Sequence, residues 1–159
     1  MIKQINLSDP DALEELFTLQ REAYRVEADL IGFSDIPPLK ETPKDLAQCG
    51  ESFLGCYIEK EMAGAVSYTV DSDIAVICRM VVHPKHFRKG IARRLLQHLY
   101  SRLTGIHILR VSTGKQNGPG VELYTNQGFR WMSDREVMPG FFISVFEKEL
   151  MTKNTYKTV

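Results

Sequence analysis

The sequence predicts an α/β protein built around a mixed β-sheet, and three observations support this fold class. Strand-like segments outnumber helical ones along the chain. The early strands follow one another across polar turns with no helix between them, which predicts antiparallel pairing. Between residues 74 and 112, a strand, an amphipathic helix and another strand follow in order, which predicts one parallel, right-handed crossover.

The strands are predicted where apolar and β-branched residues fill short runs bounded by turn residues. In chain order they span residues 1–7, 53–58, 62–70, 74–82, 107–112, 129–132 and 141–149. The last two are predicted to form a hairpin, because Pro139 and Gly140 lie in the segment that separates them.

The helices are predicted from capping residues followed by apolar residues at helical spacing. Asp9 and Pro10 start the first helix, because the acid accepts a hydrogen bond from a free N–H group and the proline lacks that donor. Thr42 and Asp45 form a capping-box pattern at the start of the second helix. The third and fourth helices are predicted over residues 90–103 and 120–127.

Length and charge predict one domain that binds neither nucleic acid nor membrane. The 159 residues fit a single domain, which we place at residues 1–151, followed by a polar, flexible tail at residues 152–159. Twenty basic and twenty acidic side chains give zero net charge, which argues against general electrostatic binding to nucleic acid or to an anionic membrane. With no membrane-spanning apolar run and no signal-peptide core, we expect a cytoplasmic protein.

Cysteine and histidine spacing predicts that the protein holds no metal ion. No two of the cysteines are separated by two intervening residues, so Cys49, Cys56 and Cys78 lack the Cys-x-x-Cys spacing of metal and redox sites. The histidines show no mutual ligand spacing either. The cysteines are therefore interpreted as small apolar residues in a reducing compartment.

The turn between the strand at 74–82 and the following helix predicts an anion site. A helix N-terminus offers unpaired N–H groups and the positive end of the helix dipole. Gly90 and Ala92 are small enough for a pyrophosphate to approach the backbone, and Arg88, Lys89 and Arg93 add positive charge. Taken alone, the turn is also compatible with a plain strand–helix connection carrying solvated basic residues. Neither the Walker pattern nor the dinucleotide fingerprint occurs.

These residues resemble the coenzyme A-binding motif of the GNAT N-acetyltransferases. That motif has Arg or Gln, two residues, Gly, one residue, and then Gly or Ala, and Gly90 and Ala92 match it. Phe87 stands where Arg or Gln is usual, so Arg88 or Lys89 must supply that charge.

A second family segment follows downstream, and the two together extend the resemblance over roughly residues 53–150. The segment has Asn, two residues, Ala, two residues, Leu-Tyr, three residues and Gly-Phe, and Gly120 replaces its Ala. The matching residues are Asn117, Leu123, Tyr124, Gly128 and Phe129.

The resemblance implies the GNAT acyl-CoA N-acyltransferase fold, with helices on both faces of a twisted sheet and acetyl-CoA as the cofactor. Two central parallel strands, here 74–82 and 107–112, separate at one end, and the pantetheine arm fills the gap. The implied cofactor-binding residues are Met80, Val81, Val82, Arg88, Lys89, Gly90, Ile91, Ala92, Arg93 and Asn117.

The resemblance also implies that Tyr124 is the general acid that protonates the leaving thiolate. A phenol remains protonated at neutral pH and can therefore donate a proton there. The alternative for Tyr124 is an aromatic side chain that only packs its helix against the sheet. For the transfer itself, direct attack by a primary amine is preferred to a route through an acetyl group carried on Cys78.

The general base is left open by the sequence. Many relatives carry a glutamate on the strand before the phosphate turn, and the matching position here is Val76. Glu41 is the candidate for the base, and the alternative is that it is an exposed loop acid. Glu27, Asp35 or a chain of water molecules are the other possibilities.

The acceptor is predicted to be a small-molecule or peptide amine. Residues 30–40 contain a glycine and two prolines, so they are predicted to form an irregular loop, and residues 30–42 are predicted to shape the acceptor pocket. The family resemblance also makes a homodimer through the C-terminal strands plausible. Two other functions remain: a non-catalytic acetyl-CoA-binding module, and an unrelated nucleotide-binding α/β domain. Ile31, Phe33, Ile36 and Leu39 are the candidates for an apolar wall of the pocket.

Overall fold

A mixed seven-stranded sheet forms the centre of the protein in a computed structural model that describes residues 1–32 and 36–150. The strand order is β1-β2-β3-β4-β5-β7-β6. The strands are β1 (Ile2–Gln4), β2 (Ser52–Ile58), β3 (Glu61–Asp71), β4 (Ile74–Val82), β5 (Ile108–Gly114), β6 (Arg130–Met138) and β7 (Phe141–Glu149). This is the mixed α/β architecture that the element order predicted, so the fold class is confirmed.

Four α-helices accompany the sheet within the described residues, together with two 3₁₀ turns at Pro37–Lys40 and Pro84–His86. At the second helix, Thr42 and Asp45 exchange the two reciprocal hydrogen bonds of the predicted capping box. The α-helices are α1 (Pro10–Ile31), α2 (Pro43–Ala47), α3 (Ile91–Arg102) and α4 (Gly118–Asn126).

The first helix is longer than the sequence indicated. Leu30 and Ile31 were assigned to a loop, but α1 continues through Ile31. It ends at Gly32, whose left-handed φ of 71° terminates the helix at little steric cost. The expectations for Phe33, Asp35 and the tail at 152–159 lie outside the described residues.

Helices cover both faces of the sheet, as the fold class requires. One core cluster joins α3 and α4 to one face, with Leu95, Leu99 and Tyr124 packed on strand residues. The other joins α1 and α2 to the opposite face, with Leu16 and Leu46 fully buried. Neighbouring residues of one strand point to opposite faces, so β2, β3 and β4 contribute to both clusters. None of the helices in the described ranges is both long and apolar enough to cross a membrane.

The parallel strands β4 and β5 pair over only part of their length. Their ladder joins residues 74–77 with residues 108–111. Beyond this point β4 stays paired with β3, whereas β5 stays paired with β7 as far as Gly114. The register of β3 against β4 shifts between Ser67 and Tyr68, which leaves Cys78 as an extra residue on β4.

The extra residue at Cys78 explains the separation of the two strands. A β-bulge bends its strand and increases the local twist. The bulge occurs directly after Ile77, the last residue of β4 that pairs with β5. The predicted gap between the two strands is therefore present, and β4 turns away from β5 at its start.

Candidate functional site

A cavity of about 230 Å³ lies where β4 and β5 separate. Its floor comes from residues 77–80 of β4 and 111–114 of β5, and helices α1 and α4 line its sides. Tyr124 and Asn117, which the resemblance singled out, both line it, as do Met80 and Glu27. Val76 does not line the cavity, because it lies in the paired part of β4, opposite Arg110.

The predicted phosphate turn has the geometry of an anion site. Gly90 caps α3 in a left-handed conformation, with φ of 75°, and provides no side-chain hydrogen bond. The first intrahelical bond joins the N–H of Arg94 to the carbonyl of Gly90 at 3.0 Å. The N–H groups of residues 91–93 therefore precede the helical bonding pattern and point out of the helix end. Backbone N–H groups in this arrangement suit a phosphate.

Basic side chains surround the start of α3. Arg88, Lys89 and Arg93 are all exposed, and Arg88 has a left-handed φ of 63°. A Cβ placed on Gly90 would lie 3.6 Å from a terminal nitrogen of Arg93, so that guanidinium folds over the glycine. Phe87, which replaces the family's Arg or Gln, is 44% exposed and directly precedes two of these basic residues in the chain.

Close packing against the sheet positions the same turn. Ile91 is buried, and a Cβ placed on Gly64 of β3 would lie only 2.7 Å from its Cγ2 atom. The same Cβ would lie 3.0 Å from the carbonyl oxygen of Val81. Glycine at position 64 therefore lets α3 begin against the strands that lead into the gap.

Tyr124 lies between the hydrophobic core and the cavity. It is 4% exposed, and its ring packs edge-on against Phe129 at a centroid distance of 5.3 Å. Burial, followed by the nearby charge of Glu27, raises the pKa of the Tyr124 phenol. The packing alternative and the acid role are therefore compatible, because one side of the ring packs while the residue also lines the cavity.

Asn117 uses its side chain to organise the start of α4. Its Oδ1 accepts a hydrogen bond from the N–H of Gly120 at 3.1 Å, and its Nδ2 donates to Oγ1 of Thr113 at 3.1 Å. A Cβ on residue 120 would lie 2.8 Å from that Oγ1 atom. The glycine that replaces the family's alanine thus makes room for Thr113 and Asn117.

Glu27 lines the cavity from α1. From the sequence it was only one of the weaker candidates for the general base. Oε1 of Glu27 lies 3.4 Å from Nδ2 of Asn117. Burial raises the pKa of Glu27 above its usual value, and the amide of Asn117 only partly offsets this. Its spacing on α1 with Tyr24 and Ile31, which also line the cavity, was the available signal.

Arg79 was not identified by the sequence analysis, yet it organises one side of the cavity. Its guanidinium donates to Oε1 and Oε2 of Glu41, at 2.5 and 2.9 Å. It also donates to Oε1 and Oε2 of Glu51, at 2.9 and 3.1 Å. Gln20 accepts the remaining N–H at 3.0 Å, so all five donors of the guanidinium are used.

Glu41, the predicted base, is one of these partners of Arg79. Burial acts to raise its pKa, but hydrogen bonds from Arg79 and Gln20 outweigh burial and hold the pKa below its usual value. A carboxylate stabilised in this way is a weak proton acceptor. The base role of Glu41 stays a prediction, and its observed contacts favour a structural role over proton transfer.

The remaining predicted residues on β4 follow the fork, the point after Ile77 where β4 and β5 separate. Met80 lines the cavity, Val81 is buried against the α1 face, and Val82 ends the strand. Ile31 and Ile36 also line the cavity, whereas Leu39 packs in the core beside α1. Over residues 1–32 and 36–150, no three His, Cys, Asp or Glu side chains are grouped to hold a metal.

A forked parallel pair, a glycine-capped helix and a tyrosine-lined cavity are together features of the GNAT fold. The family model of the acetyltransferase (GNAT) family matches residues 13–129 of the chain. The chain therefore belongs to the GNAT acetyltransferase family.

Individual relatives extend this similarity in sequence and in fold. The chain is 36% identical over 146 residues to the UPF0157 protein YqkA of Bacillus subtilis, covering 92% of the chain and 43% of YqkA. It thus spans less than half the length of this curated relative.

Solved structures match the chain over nearly its whole length. The ribosomal-protein-S18-alanine N-acetyltransferase of Escherichia coli superposes with a TM-score of 0.77 and 18% identity, covering 96% of this chain and 94% of that one. PaiA N-acetyltransferase of Thermoplasma acidophilum, in complex with coenzyme A, gives 0.76 and 20%, covering 94% and 98%. At these identities the similarity is one of fold.

Proposed function

We propose that this protein transfers the acetyl group of acetyl-CoA to a primary amine by direct attack in a ternary complex. The single observation that carries the proposal is the fork between β4 and β5, which opens into a cavity lined by Tyr124. Family membership supports acetyl transfer as the reaction, and the coenzyme A complex of the PaiA relative supports the choice of donor.

The residues around the fork fit coenzyme A. Strand backbone beyond residue 77 of β4 lacks a partner on the β5 side, and buried backbone groups require one. Met80 and Val82 would present main-chain groups to the pantetheine arm. The N–H groups of residues 88–93 would hold the pyrophosphate, with Arg88, Lys89 and Arg93 beside it. Asn117, at the cavity, would contact the arm from α4.

In the proposed reaction Tyr124 protonates the departing sulfur. The raised pKa of Tyr124 keeps its phenol protonated throughout the neutral range. Because the phenolate is disfavoured, proton donation must coincide with the loss of the thiolate. A backbone N–H near Met80 would stabilise the developing charge on the carbonyl oxygen.

Thiol release with a panel of primary amines tests this function. We expect thiol release from acetyl-CoA that depends on the amine, together with stabilisation of the protein by coenzyme A but not by ATP or NAD. A ligand at ~100 times its dissociation constant adds about 2.7 kcal/mol, which a thermal shift detects. Coenzyme A binding without turnover across the panel would identify a non-catalytic binding module instead.

Two further expectations belong to this proposal. The cytoplasmic location remains a prediction. The homodimer also remains one, and β6 is its candidate surface, because this edge strand exposes Trp131 by 58% and Val137 by 45%. Analytical ultracentrifugation of the purified chain tests the dimer.

A further inference from the structure

Glu27 places a carboxylate at the cavity without a cation to neutralise it. Its side chain lies beside Nδ2 of Asn117, at 3.4 Å, on the same cavity as Tyr124. Among the residues that the structure describes, no Lys, Arg or His forms an ion pair with it. A half-buried carboxylate without a cationic partner is costly, so its presence at a cavity indicates a positively charged or proton-bearing partner.

Arg79, in contrast, has no donor left for a ligand. Its five N–H groups are directed to Glu41, Glu51 and Gln20. Arginine is the residue that most often receives a substrate carboxylate, because its planar fork binds both oxygens. Since its N–H groups all donate to protein side chains, Arg79 cannot bind the carboxylate of an acidic acceptor.

Within the described residues, Glu27 is therefore the one charged side chain lining the cavity that forms no ion pair. The other, Arg79, is paired with Glu41 and Glu51, which do not line the cavity. The groups that face Glu27 from the packed elements are Tyr24 on α1, and Tyr124 and the neutral Asn117 at α4. Ile31 and Ile36 add apolar surface to the lining of the same cavity.

We propose that the acceptor is a primary alkylammonium without a carboxylate beside its nitrogen, and that Glu27 receives its proton. This inference rests on the proposed acetyl transfer. Glu27 attracts the cation into the cavity and then converts it into the neutral amine that attacks. Burial keeps the pKa of Glu27 raised, which makes it a better proton acceptor than Glu41.

The proton and bond changes balance without any further reactant. The ammonium gives one proton to the carboxylate of Glu27, a nitrogen–carbon bond forms, and the carbon–sulfur bond breaks. Tyr124 gives its proton to the sulfur and regains one from the second nitrogen proton through water. Glu27 finally releases its proton to solvent, so the products are the amide, the thiol and one proton.

The pH dependence of Glu27→Gln tests the proton transfer, with pentylamine as the acceptor. We expect kcat/KM at pH 7 to fall about 100-fold, because a positioned base contributes on the order of 10²–10⁴-fold. The loss should shrink to less than about 10-fold near pH 10, where an alkylamine with a pKa near ~10.4 begins to lose its proton unaided. Glu22→Gln, on the exposed side of α1, is the matched control and should retain the full rate.

A structural role for Glu27 predicts a different result. In that case the variant would lose the same factor at every pH, or would lose affinity for coenzyme A. The dissociation constant for coenzyme A, measured by calorimetry, should instead remain within about twofold of the unaltered protein, since the residues at the start of α3 that would hold the pyrophosphate do not line the cavity of Glu27. An unchanged rate in Glu27→Gln at pH 7 would also overturn the assignment.

A matched pair of acceptors tests the substrate class. Norleucine is pentylamine with a carboxylate on the carbon that bears the nitrogen. We expect kcat/KM for pentylamine to exceed that for norleucine by at least about 100-fold, because the carboxylate meets negative charge and finds no free donor on Arg79. Equal or better use of norleucine contradicts the proposed acceptor while leaving acetyl transfer standing. A protein that binds coenzyme A yet acetylates no amine rejects both proposals.

Discussion

Tyr124 combines packing with contact to the cavity, so its hydroxyl can be removed without emptying the core. In Tyr124→Phe the ring keeps its edge-on contact with Phe129. We expect thiol release to fall about 100-fold, the lower range for loss of a positioned acid. The affinity for coenzyme A should be unchanged, because the residues at the start of α3 that would hold the pyrophosphate do not line the cavity of Tyr124. Full activity in this variant would leave Tyr124 with the packing role alone.

Glu27 is expected to destabilise the fold that contains it. A carboxyl whose folded pKa is raised binds its proton more tightly in the folded than in the unfolded state. Its unfavourable contribution is therefore present at neutral pH and disappears as the pH falls through the folded and then the unfolded pKa. We expect Glu27→Gln to raise the Tm at pH 7 by roughly 2–4 °C, the shift that about 1 kcal/mol produces in a domain of this size.

The pH series provides the check on this stabilisation. The difference in Tm between Glu27→Gln and the unaltered protein should vanish near pH 4, where both carry a neutral group. A lower Tm for the variant at pH 7 would mean that the carboxylate is stabilised by contacts in the folded state. Stability lost for function is common at active sites.

At the scale of elements, the start of α3 depends on a glycine in the neighbouring strand. In Gly64→Ala the new methyl group would meet Cγ2 of Ile91 at 2.7 Å and the carbonyl oxygen of Val81 at 3.0 Å. We expect a loss of about 1–3 kcal/mol in unfolding free energy, typical of overpacking. Because the helix start must shift, coenzyme A should also bind more weakly, which calorimetry can measure.

The control for this variant is a glycine in open space. No atom lies within 4 Å of a Cβ on Gly118, and its φ is not left-handed. Gly118→Ala should therefore change the unfolding free energy by less than about 0.5 kcal/mol. Equal losses in both variants would show that the contact with Ile91 is unimportant.

The sequence predicted elements best where local signals were strong. The bounds of β4 and β7 agree with the predicted strands, because apolar runs and turn residues mark both. Strand β6 extends to Met138, well past the predicted end at 132, because its polar outer half carries no apolar signal and is held by pairing with β7. Helix α1 extends to Ile31 because Gly32, not the residues before it, ends the helix.

Site residues were predictable only where a family motif or a local motif exists. Gly90, Asn117 and Tyr124 belong to such motifs, and all three lie at the fork or at the helix start beside it. Arg79 and Glu51 belong to none, and they meet Glu41 only through folding of distant segments. Pairing of this kind depends on tertiary contacts that sequence spacing does not encode.

At the scale of the whole molecule, the Arg79 cluster ties together segments that are far apart in the chain. Arg79 of β4 contacts Gln20 of α1, Glu41 before α2 and Glu51 before β2. Ser67 of β3 donates a further hydrogen bond to Glu51 at 2.6 Å. All three charged side chains are less than one fifth exposed, so their pairing is weakly screened.

Arg79→Met should therefore be strongly destabilising. It leaves two partly buried carboxylates without a cation, and we expect a loss of about 3–5 kcal/mol in unfolding free energy, measured with urea at pH 7. The pKa of Glu41 is lowered in the fold, so the stabilising contribution of this pair is present at neutral pH and is lost as the pH falls through that pKa. The deficit of the variant should thus narrow toward pH 4. A deficit that is constant with pH would assign the loss to packing on Phe53.

The short ladder between β4 and β5 divides the sheet into a four-stranded and a three-stranded half. Within the described ranges, the two halves share strand pairing only over residues 74–77 and 108–111. A ligand laid along the open edge would bridge this seam with hydrogen bonds of its own. The acyl donor would then stabilise the sheet as well as react. Amide hydrogens of β4 and β5 beyond the ladder should exchange slowly while the donor is bound, and exchange should speed up again once the products leave.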